Sequence, residues 1–365
     1  MSGLFNNFYK NKRLLITGHT GFKGSWLSMW LNQLGAQVIG YALTPPSKPS
    51  LFEVCNLKKE MISIIGDVRN LNKLKRVFSK HQPQIVFHLA AQSLVRESYK
   101  NPIETYETNI MGTVNVLEIL RKTTSVKAGI IVTSDKCYEN KGQNYKYQEK
   151  DPMGGHDPYS SSKGCVELVT AAYLKSFFNP KNRKNLPPFL ASARAGNVIG
   201  GGDWGQDRLI PDCVRSLAKK RPILLRYPNA IRPWQHVLES LYGYLLLAKN
   251  LYQNGHQFSG GWNFGSEDGD SKPVKWLVNQ IIKNWGASTS WKADKNTNPY
   301  EAHCLKLDST KAKTKLGWQP QWNLGLALRK TIAWYKAYYQ QNQNMLKMTL
   351  SQIKEYENAI LKKEQ

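Results

Sequence analysis

Arg13-Leu14-Leu15-Ile16-Thr17-Gly18-His19-Thr20-Gly21-Phe22-Lys23-Gly24-Ser25 is a short apolar run that ends in three glycines spaced G-x-x-G-x-x-G. An apolar, helix-compatible segment follows, Trp26-Leu27-Ser28-Met29-Trp30-Leu31, and then a second strand, Gln37-Val38-Ile39-Gly40-Tyr41. Glycines at the end of a strand permit a sharp turn and let the backbone approach a pyrophosphate. Its charge then sits on the free N–H groups and the positive end of the new helix. The order strand, turn, helix, strand therefore predicts a dinucleotide site lined by Gly18, Thr20, Gly21, Phe22 and Gly24.

Outward from this turn the same alternation repeats. Ile62-Ser63-Ile64-Ile65 is a strand ending at Asp67 and Val68. Asp67 is placed either to accept from an adenine amino group or to cap the helix after it. Ile85 to Gln92 is a buried strand whose small end, Leu89-Ala90-Ala91, leaves room for a cofactor, with His88 packed inside it. Thr105 to Arg121 has apolar positions at helical spacing and covers the sheet. Gly129 to Thr133 is the next strand, carrying Ser134-Asp135-Lys136 at its end. The expected fold is α/β, a doubly wound parallel sheet of Rossmann type, with ligands at the carboxyl ends of the strands.

From about residue 180 the texture changes. A polar loop runs from residue 179 to 188, Phe189 to Arg194 is a strand, and Gly196 to Trp204 is a glycine-dense loop suited to wrapping a ligand. This divides the chain into a dinucleotide domain over residues 1–190, a smaller mixed substrate lobe over 191–340 with segments returning to the first, and a helical tail over 341–365. An acidic residue for the cofactor ribose is expected about 20 residues past the glycines. Tyr41, Ala42 and Leu43 stand there instead, leaving NAD and NADP both open.

The 365 residues suffice for a large core, and 41% hydrophobic content with 11 Trp and 18 Tyr fits a packed globular protein. No stretch reaches the apolar length of a membrane span, which predicts a soluble cytoplasmic protein. Cys55, Cys137, Cys165, Cys213 and Cys304 are odd in number and without C-x-x-C spacing, so neither disulfides nor a metal site is expected. The net charge of +25 favours an anionic partner, but the basic residues are spread along the chain rather than gathered into a tract. That spread argues for a solvated surface and against nucleic acid.

Asp157-Pro158-Tyr159-Ser160-Ser161-Ser162-Lys163 opens a helix, and Tyr159 and Lys163, four apart, share one face. An ammonium near a phenol lowers the phenol's pKa toward values at which it takes a proton from a sugar hydroxyl. Such a pair, one strand-helix unit after Ser134, predicts a catalytic site.

With these residues in place the chain resembles the extended short-chain dehydrogenase/reductase family over nearly its whole length. Val132 to Tyr138, Gly154 to Lys163, Arg194 to Trp204, Asp207 to Asp212 and Arg232 to Val237 are similar to its sugar-nucleotide 4,6-dehydratases, in the group taking a CDP-linked glucose. Relatives acting on a dTDP-linked sugar carry Asp-Glu where Asp135-Lys136 stands here.

The resemblance implies a hydro-lyase that oxidises C4, eliminates water across C5 and C6 and returns hydride to C6, in deoxysugar and lipopolysaccharide precursor synthesis. It implies Ser134, Tyr159 and Lys163 for C4 chemistry, Asp135 as acid, and Lys136 as base or as support for an enolate. Thr133, Tyr159 and Lys163 would also touch NAD, and Gln92, Ser134, Arg194, Asn197, Arg208 and Arg232 would bind CDP-glucose. Trp204 and Trp234 are read as core, and Tyr300 departs from the His of relatives. A 4-epimerase is the alternative enzyme; it needs no acid and base for elimination. Excess apolar residues such as Leu168 and Tyr173 predict a homodimer or larger even assembly.

Overall fold

The computed structural model describes residues 3–140, 145–178, 187–294, 305–341 and 343–363. Residues 179–186, Tyr300 and Cys304 lie outside them. The apolar run before the glycines becomes β1 (Arg13–Thr17), followed by β2 (Gln37–Ala42), β3 (Ile62–Ile65), β4 (Ile85–His88), β5 (Ala128–Val132), β6 (Phe189–Ala195) and β7 (Gly260–Phe264). They form one parallel sheet in the order β7-β6-β5-β4-β1-β2-β3. The order reverses beside β1, which opens a crevice at its carboxyl end, between β1 and β4.

Period-two alternation divides each inner strand between two cores. Leu14, Ile16, Ile85, Phe87 and Ile130 face the helices Phe22–Gln33 and Val237–Asn254. Leu15, Ile39, Val86 and Ile131 face Leu71–His81, Gly112–Lys122 and Pro158–Ser176. The doubly wound Rossmann sheet is thus as the alternation predicts. A second body carries short strands: Asn197–Ile199 pairs in parallel with Ile231–His236, which pairs antiparallel with Ser271–Pro273. The glycine-dense stretch therefore begins as a strand rather than a loop.

Two further boundaries differ from the sequence reading, each for a local reason. β4 stops at His88 because the N–H groups of Leu89 and Ala90 turn to the Thr17 hydroxyl, 3.1 Å from each. The helix expected over 105–121 widens into a π-turn, Glu107–Met111, between Pro102–Tyr106 and Gly112–Lys122. Inside that turn Asn109 donates to the Gln92 carbonyl and to Ser162 and accepts from the Gln92 N–H. π-turns of this kind gather at functional sites.

The C-terminal helix Met345–Lys363 follows Leu324–Gln340 and lies on the helix behind the glycine turn. Glu357 accepts from Trp30 Nε1 at 3.1 Å and Gln33 Nε2 at 2.9 Å. Tyr356 donates to the buried Glu239, which also takes the N–H groups of Gln321 and Trp322. Trp204 and Trp234 are buried in the core, as read from the sequence. Among the described residues Cys55, Cys137, Cys165 and Cys213 are free and no metal cluster occurs.

Candidate active site

The glycine turn is dictated by contact. Gly18 has φ 79° and a Cβ on it would stand 2.8 Å from the Ala90 nitrogen, while a Cβ on Gly24 would stand 2.1 Å from the Gly18 carbonyl. Gly21 starts the helix without a side-chain cap, leaving the first N–H groups to an anion. Thr20 donates to the Leu43 carbonyl at 2.9 Å, locking the turn to the end of β2. Val68 packs on Gly112, and Leu89 and Ala90 close against Gly18. Ala91 follows them, half-buried. A dinucleotide fits these features.

Asp67 is held by Arg69, whose guanidinium approaches Oδ2 at 2.9 and 2.6 Å and whose N–H reaches Oδ1 at 2.8 Å. Burial alone would raise the Asp67 carboxyl, but these bonds and the Arg69 charge hold it below its ordinary value. The helix cap proposed as its other role belongs to Asn70, which accepts from the Lys73 N–H. His88 is a packed core residue: its ring lies between the Thr17 and Thr113 hydroxyls, and burial pushes its pKa down to about 3.

At the end of β5, Ser134 turns the chain into the short helix Asp135–Cys137 and accepts the Lys136 N–H at 3.2 Å. Across the cleft Asp157 caps the helix Pro158–Ser176 and Ser98 takes the Tyr159 N–H at 3.1 Å, which fixes the first turn. The Ser134 hydroxyl thereby donates to Asp135 Oδ1 at 2.9 Å and also acts on the Tyr159 phenol, favouring its ionised form. Tyr159, Ser134, Asp135 and Lys163 are all buried. Lys163 directs its ammonium to the Val132 carbonyl at 3.4 Å, and burial, with the charge of Lys23, lowers its pKa to about 8.

The sequence predicts a lowered phenol at Tyr159; the structure has it raised to about 12, because burial outweighs the Ser134 bond and the Arg208 charge. Asp135 is also raised by burial, against the pull of Lys136, Ser134, Lys23 and Arg232. A carboxyl displaced upward holds its proton longer, as an acid for a leaving group requires.

Arg208 and Arg232 stand at this site, Arg208 bonded to Asp203 at 3.0 Å and to Ser93 at 2.9 Å. Asn197 lies at the start of its short strand opposite Trp234. Two predicted substrate ligands are placed otherwise. Arg194 is buried against Glu167 at 2.7 Å and donates to the Tyr138 hydroxyl and the Glu149 carbonyl. Burial alone would raise Glu167, but Arg194 together with Ser192 and Thr133 holds its carboxyl below the ordinary value. Thr133 gives its hydroxyl to that pair, so its side chain belongs to the network beneath the groove. Gln92 places its amide on Leu94 and Thr105 and so shapes the 92–94 turn rather than the sugar site.

Lys23 is the residue the sequence reading passed over. It lies in the first turn of the glycine helix, 3.2 Å from the Tyr244 hydroxyl, and burial lowers its pKa to about 8, with Asp135 acting against and Arg208 with that shift. A lysine between the last two glycines, beside only Phe22, was the available signal.

A doubly wound sheet whose strand ends gather a glycine turn, a Ser134 hydroxyl and a Tyr159–Lys163 helix defines an extended short-chain dehydrogenase/reductase. The profile of the family described as GDP-mannose 4,6 dehydratase matches residues 15–331, and the chain belongs to that family. It is 51% identical over 353 residues to a CDP-glucose 4,6-dehydratase of Salmonella typhimurium strain LT2, covering 97% of this chain and 98% of that protein. Among solved structures it resembles a UDP-glucose 4-epimerase of Thermotoga maritima, with a TM-score of 0.77, 23% identity and coverage of 89% of this chain and 99% of that one. It also resembles a dTDP-glucose 4,6-dehydratase of Bacillus anthracis in complex with NAD, with a TM-score of 0.74, 22% identity and coverage of 92% and 99%.

Proposed function

We infer that the protein is a CDP-glucose 4,6-dehydratase, a hydro-lyase that converts CDP-D-glucose to CDP-4-dehydro-6-deoxy-D-glucose and water with NAD as cofactor. The observation that carries this reading is the 51% identity over 97% of the chain, joined to a buried acid, Asp135, that a 4-epimerase has no use for. NAD, when bound, would supply a hydride acceptor that gives the hydride back.

The chain's own groups handle the protons. Tyr159 is the group that takes the C4 hydroxyl proton, which requires its phenol first to give up its own; Ser134 and the Arg208 charge favour that loss against burial. The ketone at C4 acidifies C5, whose proton passes to a base, and Lys136 is the nearest candidate in sequence to the acid. Asp135 then protonates the departing C6 hydroxyl. Ser134, which donates to Asp135 and acts on the Tyr159 phenol, stands between the group assigned to C4 and the group assigned to C6. Arg208, Arg232 and Asn197 bind the diphosphate.

The protein is read as a cytoplasmic enzyme of deoxysugar and lipopolysaccharide precursor synthesis. No described helix is long and apolar enough to cross a membrane. Exposed Ile103, Met111, Leu168 and Phe177 on adjacent helices support a homodimer formed through those helices. Incubation with CDP-, dTDP-, GDP- and UDP-hexoses plus NAD or NADP, scored by the alkaline absorbance of a 4-keto-6-deoxy sugar, tests the assignment. A preference for another base removes the narrow name.

A further inference from the structure

The segment from Asp203 to Arg208 forms a strap from the second body toward the dinucleotide side, where Arg208 donates to the Ser93 hydroxyl at 2.9 Å. Its root is fixed: Trp204 is buried, Tyr335 donates to the Asp203 carbonyl at 2.5 Å, and Arg215 donates to the Trp204 and Gly205 carbonyls at 3.0 and 3.2 Å. Its tip crosses to the dinucleotide side. There Asp207 Oδ1 takes Arg96 at 2.9 Å and Arg226 at 3.1 Å, and Arg226 also donates to the Asp207 carbonyl.

One carboxylate oxygen thus serves two guanidinium groups from opposite sides. Arg96 lies two residues before Ser98, which holds the Tyr159 N–H, and Arg226 follows the strand Ile223–Leu225 of the second body. Arg208, next in the chain, sends its charge onto the Tyr159 phenol.

We propose that Asp207 is an internal stand-in for the substrate's diphosphate, holding Arg96 and Arg226 together until the sugar nucleotide displaces it and takes both guanidinium groups. The inference rests on the function proposed above. Guanidinium forks match phosphate oxygens in pairs, and a diphosphate brings more charge and more acceptors than one carboxylate. The existing pairs are weak enough to exchange: the side chains of Arg96, Asp207 and Arg226 remain 42, 39 and 27% exposed, where ion pairs contribute little. Asp207 sits at φ 58°, a left-handed conformation that Asp and Asn tolerate. The strap tip therefore has a partner to lose and no packed side chain to pull out. It also reads the ligand: a nucleoside lacking phosphates has nothing with which to displace Asp207.

The test is calorimetric titration of the full-length protein with CDP and with cytidine, at low and at moderate salt. Asp207→Asn keeps the backbone conformation and removes the competing charge. It is expected to bind CDP several-fold more tightly than the parent, with the gain shrinking as salt rises. Arg96→Met and Arg226→Met are each expected to bind CDP about tenfold more weakly, a charge-assisted bond lost, while cytidine affinity stays with the parent. Equal or weaker CDP binding by Asp207→Asn overturns the proposal, as do arginine variants within twofold of the parent. Melting curves confirm that each variant is folded. The binding series is read apart from turnover: a parent that binds CDP but forms no dehydrated sugar overturns the proposed function, while the CDP affinities of the three variants alone decide the role of Asp207.

Discussion

Asp135→Asn isolates the elimination step. Asn has the size of Asp, and its amide oxygen keeps the acceptor for the Ser134 hydroxyl now 2.9 Å away, so the position of Ser134 beside Tyr159 is preserved. What it lacks is a proton to give. Asp135 is buried, and the charged neighbours that act on it, Lys136, Lys23 and Arg232, are all cations, so none of them is a second carboxylic acid to replace it. General acids of this kind contribute about 10²–10⁴ in rate, or ~3–5 kcal/mol of barrier. In stopped flow with CDP-glucose, reduced nicotinamide absorbance should rise at a rate near the parent's and then persist. The alkaline 4-keto-6-deoxy signal should be slowed by the stated factor. Dehydration at the parent rate would refute the assignment of Asp135 as the acid.

Three further outcomes follow from the geometry. Arg194→Met leaves Glu167 buried and unpaired, which should lower the unfolding free energy by about 3–5 kcal/mol in a urea titration; a raised KM with unchanged stability would return Arg194 to the substrate. Gly24→Ala drives a Cβ to 2.1 Å from the Gly18 carbonyl, so NAD binding by fluorescence titration should vanish with about 1–3 kcal/mol of stability, and parent-like NAD affinity would contradict the turn. Glu239, raised by burial to about 7 under the Tyr356 hydroxyl, binds more protons folded than unfolded. Its contribution to stability is therefore present at low pH and is lost as pH rises from about 4.5 through 7, roughly 3 kcal/mol over that window. Buried His88 titrates in the same window with the opposite sign, so the comparison is between variants: the parent's melting temperature relative to that of Glu239→Gln should fall as pH rises across it, and a constant difference would remove Glu239 as the cause.

The sheet was legible because it is a repeated local pattern. Gly18, Gly21 and Gly24 mark a turn no side chain fits, and the apolar runs of β1, β4 and β5 are continuous since both faces are covered. Tyr159 and Lys163 were legible for the same reason, their relation being a helical interval. The rest depends on partners far away in the chain. Arg194 reads as a substrate ligand until Glu167, 27 residues earlier, is seen to claim it. Gln92 reads as a substrate contact until Thr105 and, from the π-turn, Asn109 are seen to hold it. The raised phenol of Tyr159 follows from burial, which the interval between two residues does not encode. The docking of the last helix on Glu239 joins residues 117 apart.

The central claim is that a phenol at the cofactor groove and a buried acid beside it carry one sugar through oxidation, loss of water and reduction. It is tested most directly by incubating the protein with CDP-glucose labelled with deuterium at C4 in the presence of NAD. The expected product is CDP-4-dehydro-6-deoxyglucose carrying that deuterium at C6, with no net reduction of NAD. Recovery of CDP-galactose with the oxygen at C6 retained, or of a 4-keto sugar with deuterium absent from C6, would contradict it.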